Sequence, residues 1–176
     1  MKLKIGVCVA LAVLLQTTLR HYWQGLVYVD LPLVVVTYFA LRRDVVLALV
    51  VGCVTGLATD AFSGGLLGAH GFSKTLISYL IAALVTRVML DNPLARIPVI
   101  AGAAALDATL YVLLHQIFRQ PVLRPFVETV TYKVIATTVV GTFLFYLLDI
   151  FFSDRARTRR QFAFRRRAAR RSLARR

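Results

Sequence analysis

Asp60, Asp107, Glu128 and Asp149 stand inside or at the ends of long apolar runs, and the base Lys133 lies within such a run. A charged side chain near the centre of a membrane helix costs on the order of 3 kcal/mol on insertion scales, so each needs a counter-ion, a hydrogen-bond partner or water. Asp107, Tyr111 and His115 recur at i, i+4 and i+8, along one face of a helix. A proton relay or a substrate site has this pattern, and so does a satisfied buried network; intramembrane acids more often pair or line a cavity than catalyse. Lys133 has two available counter-ions, Asp107 and Glu128, and the sequence does not choose between them. Asp60 closes one apolar run and Lys74 opens the next, which predicts an ion pair joining the two ends.

The connection between Asp60 and Lys74 contains Ser63, four glycines in eight residues (Gly64, Gly65, Gly68 and Gly71), and His70. Glycine permits backbone conformations closed to other residues, so this segment is either a tight turn or a structured corner that dips into the membrane surface and meets a partner or ligand. Upstream, Gly52, Gly56, Asp60 and Ser63 follow spacings of 4, 4 and 3, which puts them on one helical face. The Gly52 to Gly56 step lets another backbone approach closely, and packing within the chain is the expected use. Thr137 with Gly141, and Thr138 with Thr142, repeat the four-residue spacing and the same packing chemistry near the other end of the chain.

No HExxH, GxSxG, P-loop or dinucleotide fingerprint occurs, so no hydrolytic or transfer constellation is visible and no cofactor, metal or catalytic residue is expected. Cys8 and Cys53 lie in apolar runs and read as small core or lipid-facing residues rather than as metal ligands. An intramembrane enzyme would require the Asp107, Tyr111 and His115 stripe to be essential.

The elements that must hold these residues follow from composition. The 176 residues carry 22 Lys and Arg against 8 Asp and Glu, a formal charge of +14, yet 59% are hydrophobic and only 17% charged; mean hydropathy is +0.71. That combination excludes most soluble classes and implies lipid as solvent. Apolar runs fall at Ile5 to Leu19, Leu26 to Leu41, Val45 to Phe62, Thr75 to Leu90, Ile97 to Phe118 and Val127 to Phe152. They lack the period-two alternation of a membrane barrel, so the expected fold is an all-α integral membrane protein of about six transmembrane helices, with short or bent helices in the first half. The first run follows Lys2 and Lys4 but is not succeeded by a small-x-small cleavage pattern, and reads as a retained membrane helix.

Seventeen basic residues fall on one side of these spans (Lys2, Lys4, Arg42, Arg43, Arg87, Arg96 and eleven arginines after residue 154) against four on the other, Arg20, Lys74, Arg119 and Arg124. The positive-inside rule then places both termini in the cytoplasm. Residues 1–153 form the expected six-helix domain. Residues 154–176 form a cytoplasmic arginine-rich tail, disordered or lipid-associated, whose Arg165, Arg166, Arg167, Arg170 and Arg171 suit anionic headgroups at about 1 kcal/mol per basic residue near the surface. A topology anchor in solution is the simpler reading of the tail, and nucleic acid is not an expected partner.

One combination is more specific than its parts. Leu31-Pro32-Leu33 opens a span and Tyr38-Phe39-Ala40-Leu41-Arg42-Arg43 closes it. Gly52-x-x-x-Gly56-x-x-x-Asp60-x-x-Ser63-Gly64-Gly65-x-x-Gly68-x-His70-Gly71 follows, with Tyr79-Leu80 beyond. With the six-span layout and Gln16-Thr17-Thr18-Leu19 at the end of span one, this resembles the rod shape-determining protein MreD family. The resemblance implies a non-enzymatic subunit of the bacterial inner (cytoplasmic) membrane that serves the cell-elongation machinery and controls cell shape. It implies MreC as the direct partner, with MreB, RodA and a class B penicillin-binding transpeptidase in the same peptidoglycan-synthesis complex. Asp60, Ser63, Gly64, Gly65, Gly68 and Gly71 would shape an extracytoplasmic corner, and Arg42 and Arg43 a cytoplasmic turn. The family is similar in expected architecture to the S components of energy-coupling-factor transporters, so a vitamin-binding subunit is the rival reading. It would place a pocket near Ser63 to Ser73, with Asp60, Lys74, Trp23 or Glu128 as contacts.

Overall fold

The computed structural model describes residues 2–22, 28–63, 66–87, 95–118, 127–128 and 130–150. Helices α1 (Lys2–Tyr22), α2 (Leu31–Ala40), α3 (Val45–Ser63), α4 (Ala69–Arg87) and α5 (Arg96–Ile117) follow in order, and α6 is Val130–Ile150. Among the described residues there is no strand. This is the expected all-α membrane architecture, and its solvent-facing surface is apolar: Val50 and Val54 on α3, Leu80 and Leu84 on α4, and Ile135 and Val139 on α6 are all exposed. Polar residues turn inward instead, with His70, Ser73, Lys74 and Ser78 of α4 buried. Helices α3, α5 and α6 are each long and apolar enough to cross a bilayer.

Two boundaries differ from the expected spans, each for a local reason. The second helix begins at Leu31 rather than Leu26, because Asp30 caps it: Leu33 N–H donates to Asp30 Oδ1 at 2.9 Å, and Pro32 occupies the first turn, where its missing N–H leaves nothing unmade. At ten residues α2 is about 15 Å long, half the thickness of the hydrocarbon core. Every residue from Pro32 to Ala40 is buried, as expected of a helix apolar on all sides. Its C-terminal turn carries Arg42, whose guanidinium lies 5.3 Å from the Tyr38 ring centroid and 5.2 Å from that of Phe39, and Arg43, which takes a left-handed φ of 63°.

The fourth helix starts at Ala69, earlier than the expected Thr75, because Asp60 caps it from the end of α3. One carboxylate oxygen accepts from His70 N–H at 3.0 Å. The other accepts from Gly68 N–H at 3.0 Å and Gly71 N–H at 2.8 Å. Gly68 supplies the turn into the helix with a φ of 93°. Lys74 therefore lies inside α4 rather than at its start.

The expected close packing at Gly52 and Gly56 is between α3 and α4. A Cβ on Gly52 would stand 2.8 Å from the Lys74 carbonyl oxygen, and one on Gly56 would stand 2.6 Å from Gly71 Cα. Gly141 of α6 likewise faces α2 and α5, where a Cβ would meet Val34 and Ile100 methyls at 3.0 and 3.1 Å. Leu33, Ala40, Ala48, Ile77, Ala82 and Ala104 join α2, α3, α4 and α5 in one apolar core. The chain divides into a unit of residues 1–142 and a second of 143–176; the described part of the second is the end of α6, where Phe145 and Leu148 are buried. The expected tail, residues 154–176, lies outside the described residues.

Candidate functional site: a buried charge quartet

Capping of α2 fixes Asp30, and the early start of α4 carries Lys74 inward to meet it. The Lys74 ammonium contacts Asp30 Oδ2 at 2.8 Å and Asp107 Oδ1 at 3.6 Å. From α6, the Lys133 ammonium contacts Asp107 Oδ2 at 2.5 Å and Asp30 Oδ2 at 3.3 Å. Each carboxylate thus touches both ammoniums, and the four formal charges cancel. The side chains of Lys74 and Asp107 are 0% exposed, and those of Asp30 and Lys133 are 10% and 15% exposed. Buried charges persist in such a site only when paired and hydrogen-bonded. Ser73 Oγ completes the set by donating to Asp107 Oδ1.

The backbone break before α2 is closed by side chains from two other helices. Gln16 of α1 donates to Val29 O at 2.6 Å and accepts from Leu31 N–H at 3.0 Å. Thr137 of α6 accepts from Asp30 N–H at 3.2 Å and donates to Tyr28 O at 3.2 Å. Irregular backbone at membrane depth is tolerable only where protein groups satisfy it in this way.

These contacts redraw the sequence expectations. Lys74 pairs with Asp30, so the expected Asp60 to Lys74 ion pair does not form, and Asp60 spends both its oxygens on backbone N–H groups. Lys133 takes Asp107 and Asp30 as counter-ions, whereas Glu128 is exposed. The Asp107, Tyr111 and His115 stripe is real as geometry but splits in role. Asp107 belongs to the quartet, while the Tyr111 ring stacks on His70 at 4.7 Å and lies 4.1 Å from His115. His115 Nδ1 lies 2.9 Å from Tyr111 O. Ser63 Oγ reaches back to Asp60 O at 3.5 Å. Gly64, Gly65, Trp23 and the five tail arginines fall outside the described residues.

Three participants escape the sequence reading: Asp30, Gln16 and Ser73. Asp30 lies within the apolar run expected to form the second span, and the signal for it is an Asp followed at once by Leu-Pro, a helix-start pattern. Gln16 and Ser73 act on groups distant in sequence and carry no local signal.

Ligand atoms of Asp30, His70 and Asp107 lie within 4.8 Å of one another, a donor set a metal ion could use. The ammoniums of Lys74 and Lys133 already bridge both carboxylates, however, so the chain supplies its own cations at that position. The arrangement suits holding helices α2, α4, α5 and α6 in register.

A family model described as rod shape-determining protein MreD matches residues 1–155 of the chain. Comparisons with curated proteins and with solved structures returned no match.

Proposed function

Because the chain belongs to the rod shape-determining protein MreD family, we propose that it is a non-enzymatic scaffold of the bacterial inner membrane that helps organise peptidoglycan synthesis during cell elongation. The observation that carries this reading is a family match over residues 1–155, which spans all the described helices. Its mechanism is differential binding: helix faces and loops hold MreC, the direct partner, and the synthase subunits RodA and a class B penicillin-binding transpeptidase in an active arrangement that works with MreB. Both termini are cytoplasmic on this reading, and the arginine-rich tail attaches that side to anionic lipid through Arg165, Arg166, Arg167, Arg170 and Arg171. The closed, charge-neutral quartet supports a structural role for the polar interior, since its carboxylates and ammoniums are all engaged with one another. On this reading the corner that Asp60 holds, with Ser63 and Gly68 half-buried and Leu67 exposed, meets a partner on the side opposite the tail.

The test is mild detergent extraction of the tagged full chain from its native host, with mass spectrometry of what accompanies it. Recovery of MreC, MreB or RodA with a transpeptidase is the expected result. Recovery of a coupling membrane protein with paired ATPases would instead identify a transporter subunit and overturn the scaffold reading.

A further inference from the structure

A groove of about 410 Å³ lies between α4 and α5. Ile77, Leu80 and Leu84 line it from α4, and Val99, Gly102 and Leu106 from α5. Ile77 is buried at its base, while Leu80, Leu84 and Leu106 are exposed along its rim. Gly102 leaves the α5 wall low, and a Cβ there would meet nothing within 4 Å. Along α5 the lining runs from Ala95 to Leu106, about 16 Å. Half of a hydrocarbon core of about 30 Å is about 15 Å, so the groove has the depth of one leaflet. A partner's spanning helix needs the whole thickness, whereas one acyl chain needs a single leaflet.

The groove is basic at one end. On α4, Ile77, Leu80, Leu84 and Arg87 are spaced 3, 4 and 3, and on α5 Arg96, Val99, Ala103 and Leu106 repeat that spacing. Each arginine therefore continues the groove face of its own helix. Arg87 ends α4 and Arg96 begins α5, so both stand where the chain passes from one wall to the other. Arg87 is exposed and Arg96 half-buried. An arginine at a helix end lays its stem along apolar surface and keeps its head at the interface. Its guanidinium presents five N–H donors in a fork that matches phosphate oxygens, so a bond within the chain leaves others for a phosphate. Asp91 is the other charged residue between Leu84 and Arg96, and this stretch keeps a net positive charge.

We infer that this groove holds one acyl chain of an anionic phospholipid, whose phosphate lies between Arg87 and Arg96. Basic pockets between membrane helices on the cytoplasmic side bind anionic headgroups, and on the orientation proposed above this end of the groove is cytoplasmic. A zwitterionic headgroup brings its own cation beside the phosphate and gains less from the two arginines. The site is separate from the arginine-rich tail. It goes beyond the scaffold reading and does not depend on it, since it requires a membrane helix pair and two arginines but no protein partner.

The experiment reconstitutes the full chain in phosphatidylcholine vesicles that contain a trace of a lipid with a diazirine midway along one acyl chain. The probe is phosphatidylglycerol in one set and phosphatidylcholine in the other, and adducts formed on illumination are mapped by mass spectrometry. At Leu84 and Leu106 the phosphatidylglycerol probe should label about fivefold or more above the phosphatidylcholine probe. Val54 of α3 and Val139 of α6, both exposed, should be labelled alike by the two. Arg87→Gln with Arg96→Gln should bring the ratio in the groove down to that of these controls, and Arg87→Lys with Arg96→Lys should keep most of it. Gly102→Leu, which fills the groove from its low wall, should reduce labelling at Leu84 and Leu106 by both probes and leave the controls unchanged. Equal labelling of the groove by the two probes, or the same preference at Val54 and Val139, would overturn the site. So would a preference in the groove that survives loss of both arginines, which would belong to the tail. The comparison of the two probes on the wild-type chain decides the matter even if a variant fails to accumulate. Recovery of elongation proteins is read separately, so this site and the scaffold reading can each fail alone.

Discussion

Lys74 and Asp30 meet at 2.8 Å across 44 residues of sequence, and that single contact ties the capped start of α2 to the interior of α4. Lys74 is completely buried, and among the described residues Asp30 and Asp107 replace the water its ammonium lost. Asp30→Asn keeps the helix cap, since an amide oxygen can accept from Leu33 N–H, but leaves an unbalanced positive charge. Losing one partner of a buried ion pair costs about 3–5 kcal/mol. Lys74→Met leaves an unbalanced negative charge at similar cost. Together the two changes restore neutrality, with Lys133 and Asp107 still paired, and the double variant should be more stable than the sum of the singles by about 1–3 kcal/mol. Denaturant titration in detergent micelles measures all three. Strict additivity would mean that the pair contributes nothing as a pair.

Asp60 is expected to couple to Lys74 more weakly than Asp30 does. Its carboxylate accepts from three N–H groups at the start of α4, and Asp60→Ala would leave those donors without it. The expected loss is about 1–3 kcal/mol. Combined with Lys74→Met, the departure from additivity should stay below that of the Asp30 and Lys74 pair, because Asp60 reaches Lys74 through the start of α4 alone. A large coupling between the two, read from the same titrations, would restore the ion pair that the spacing alone suggests.

That contrast explains what could be read from the sequence. Gly52 and Gly56 were legible because a four-residue spacing of small residues encodes a face, and a face is local information. Lys133 was visibly in need of a counter-ion, and Asp107 was among those available to it. The partner of Lys74 was not legible, because it depends on where α4 begins, and Asp60 sets that through backbone groups that side-chain chemistry does not reveal. Moving the helix start from Thr75 to Ala69 carries Lys74 about 7 Å into the helix and away from the end of α3. Asp30 was obscured for a related reason: it lies inside an apolar run, and only a cap distinguishes a short buried helix from a longer span. Gln16 and Thr137 satisfy a backbone break whose existence the sequence does not announce.

The break itself makes the third prediction. Thr137 both accepts from Asp30 N–H and donates to Tyr28 O, and it is completely buried. Thr137→Val keeps the volume and removes both bonds, taking the hydroxyl from the buried Asp30 N–H and from Tyr28 O. The expected cost is about 1–3 kcal/mol. Thr137→Ser should recover most of it, because the hydroxyl is retained. Thr142→Val, at an exposed position on the same helix whose hydroxyl bonds only Thr138 O, should change stability by less than about 0.5 kcal/mol. Thermal unfolding of the three variants in one detergent separates them; equal losses at 137 and 142 would show that the hydroxyl at 137 serves only its own helix.

Glycine substitutions test the α3 and α4 contact against a built-in control. A methyl on Gly56 would press against the backbone of α4 at Gly71, and one on Gly52 against the Lys74 carbonyl oxygen and the Ser78 side chain. Backbone cannot step aside as the end of a flexible side chain can, so Gly56→Ala must push the helices apart. Overpacking of this kind typically costs about 1–3 kcal/mol. Separating α3 from α4 also loosens the Asp60 cap, which bridges the same two helices, and draws Lys74 from Asp30. Gly56→Ala should therefore weaken the coupling measured between Asp30 and Lys74, an effect no purely local strain would produce. Gly102→Ala meets nothing within 4 Å and exchanges glycine for the better helix former, so it should stabilise by about 0.5–1 kcal/mol. Equal behaviour at positions 56 and 102 would contradict the close approach of α3 and α4.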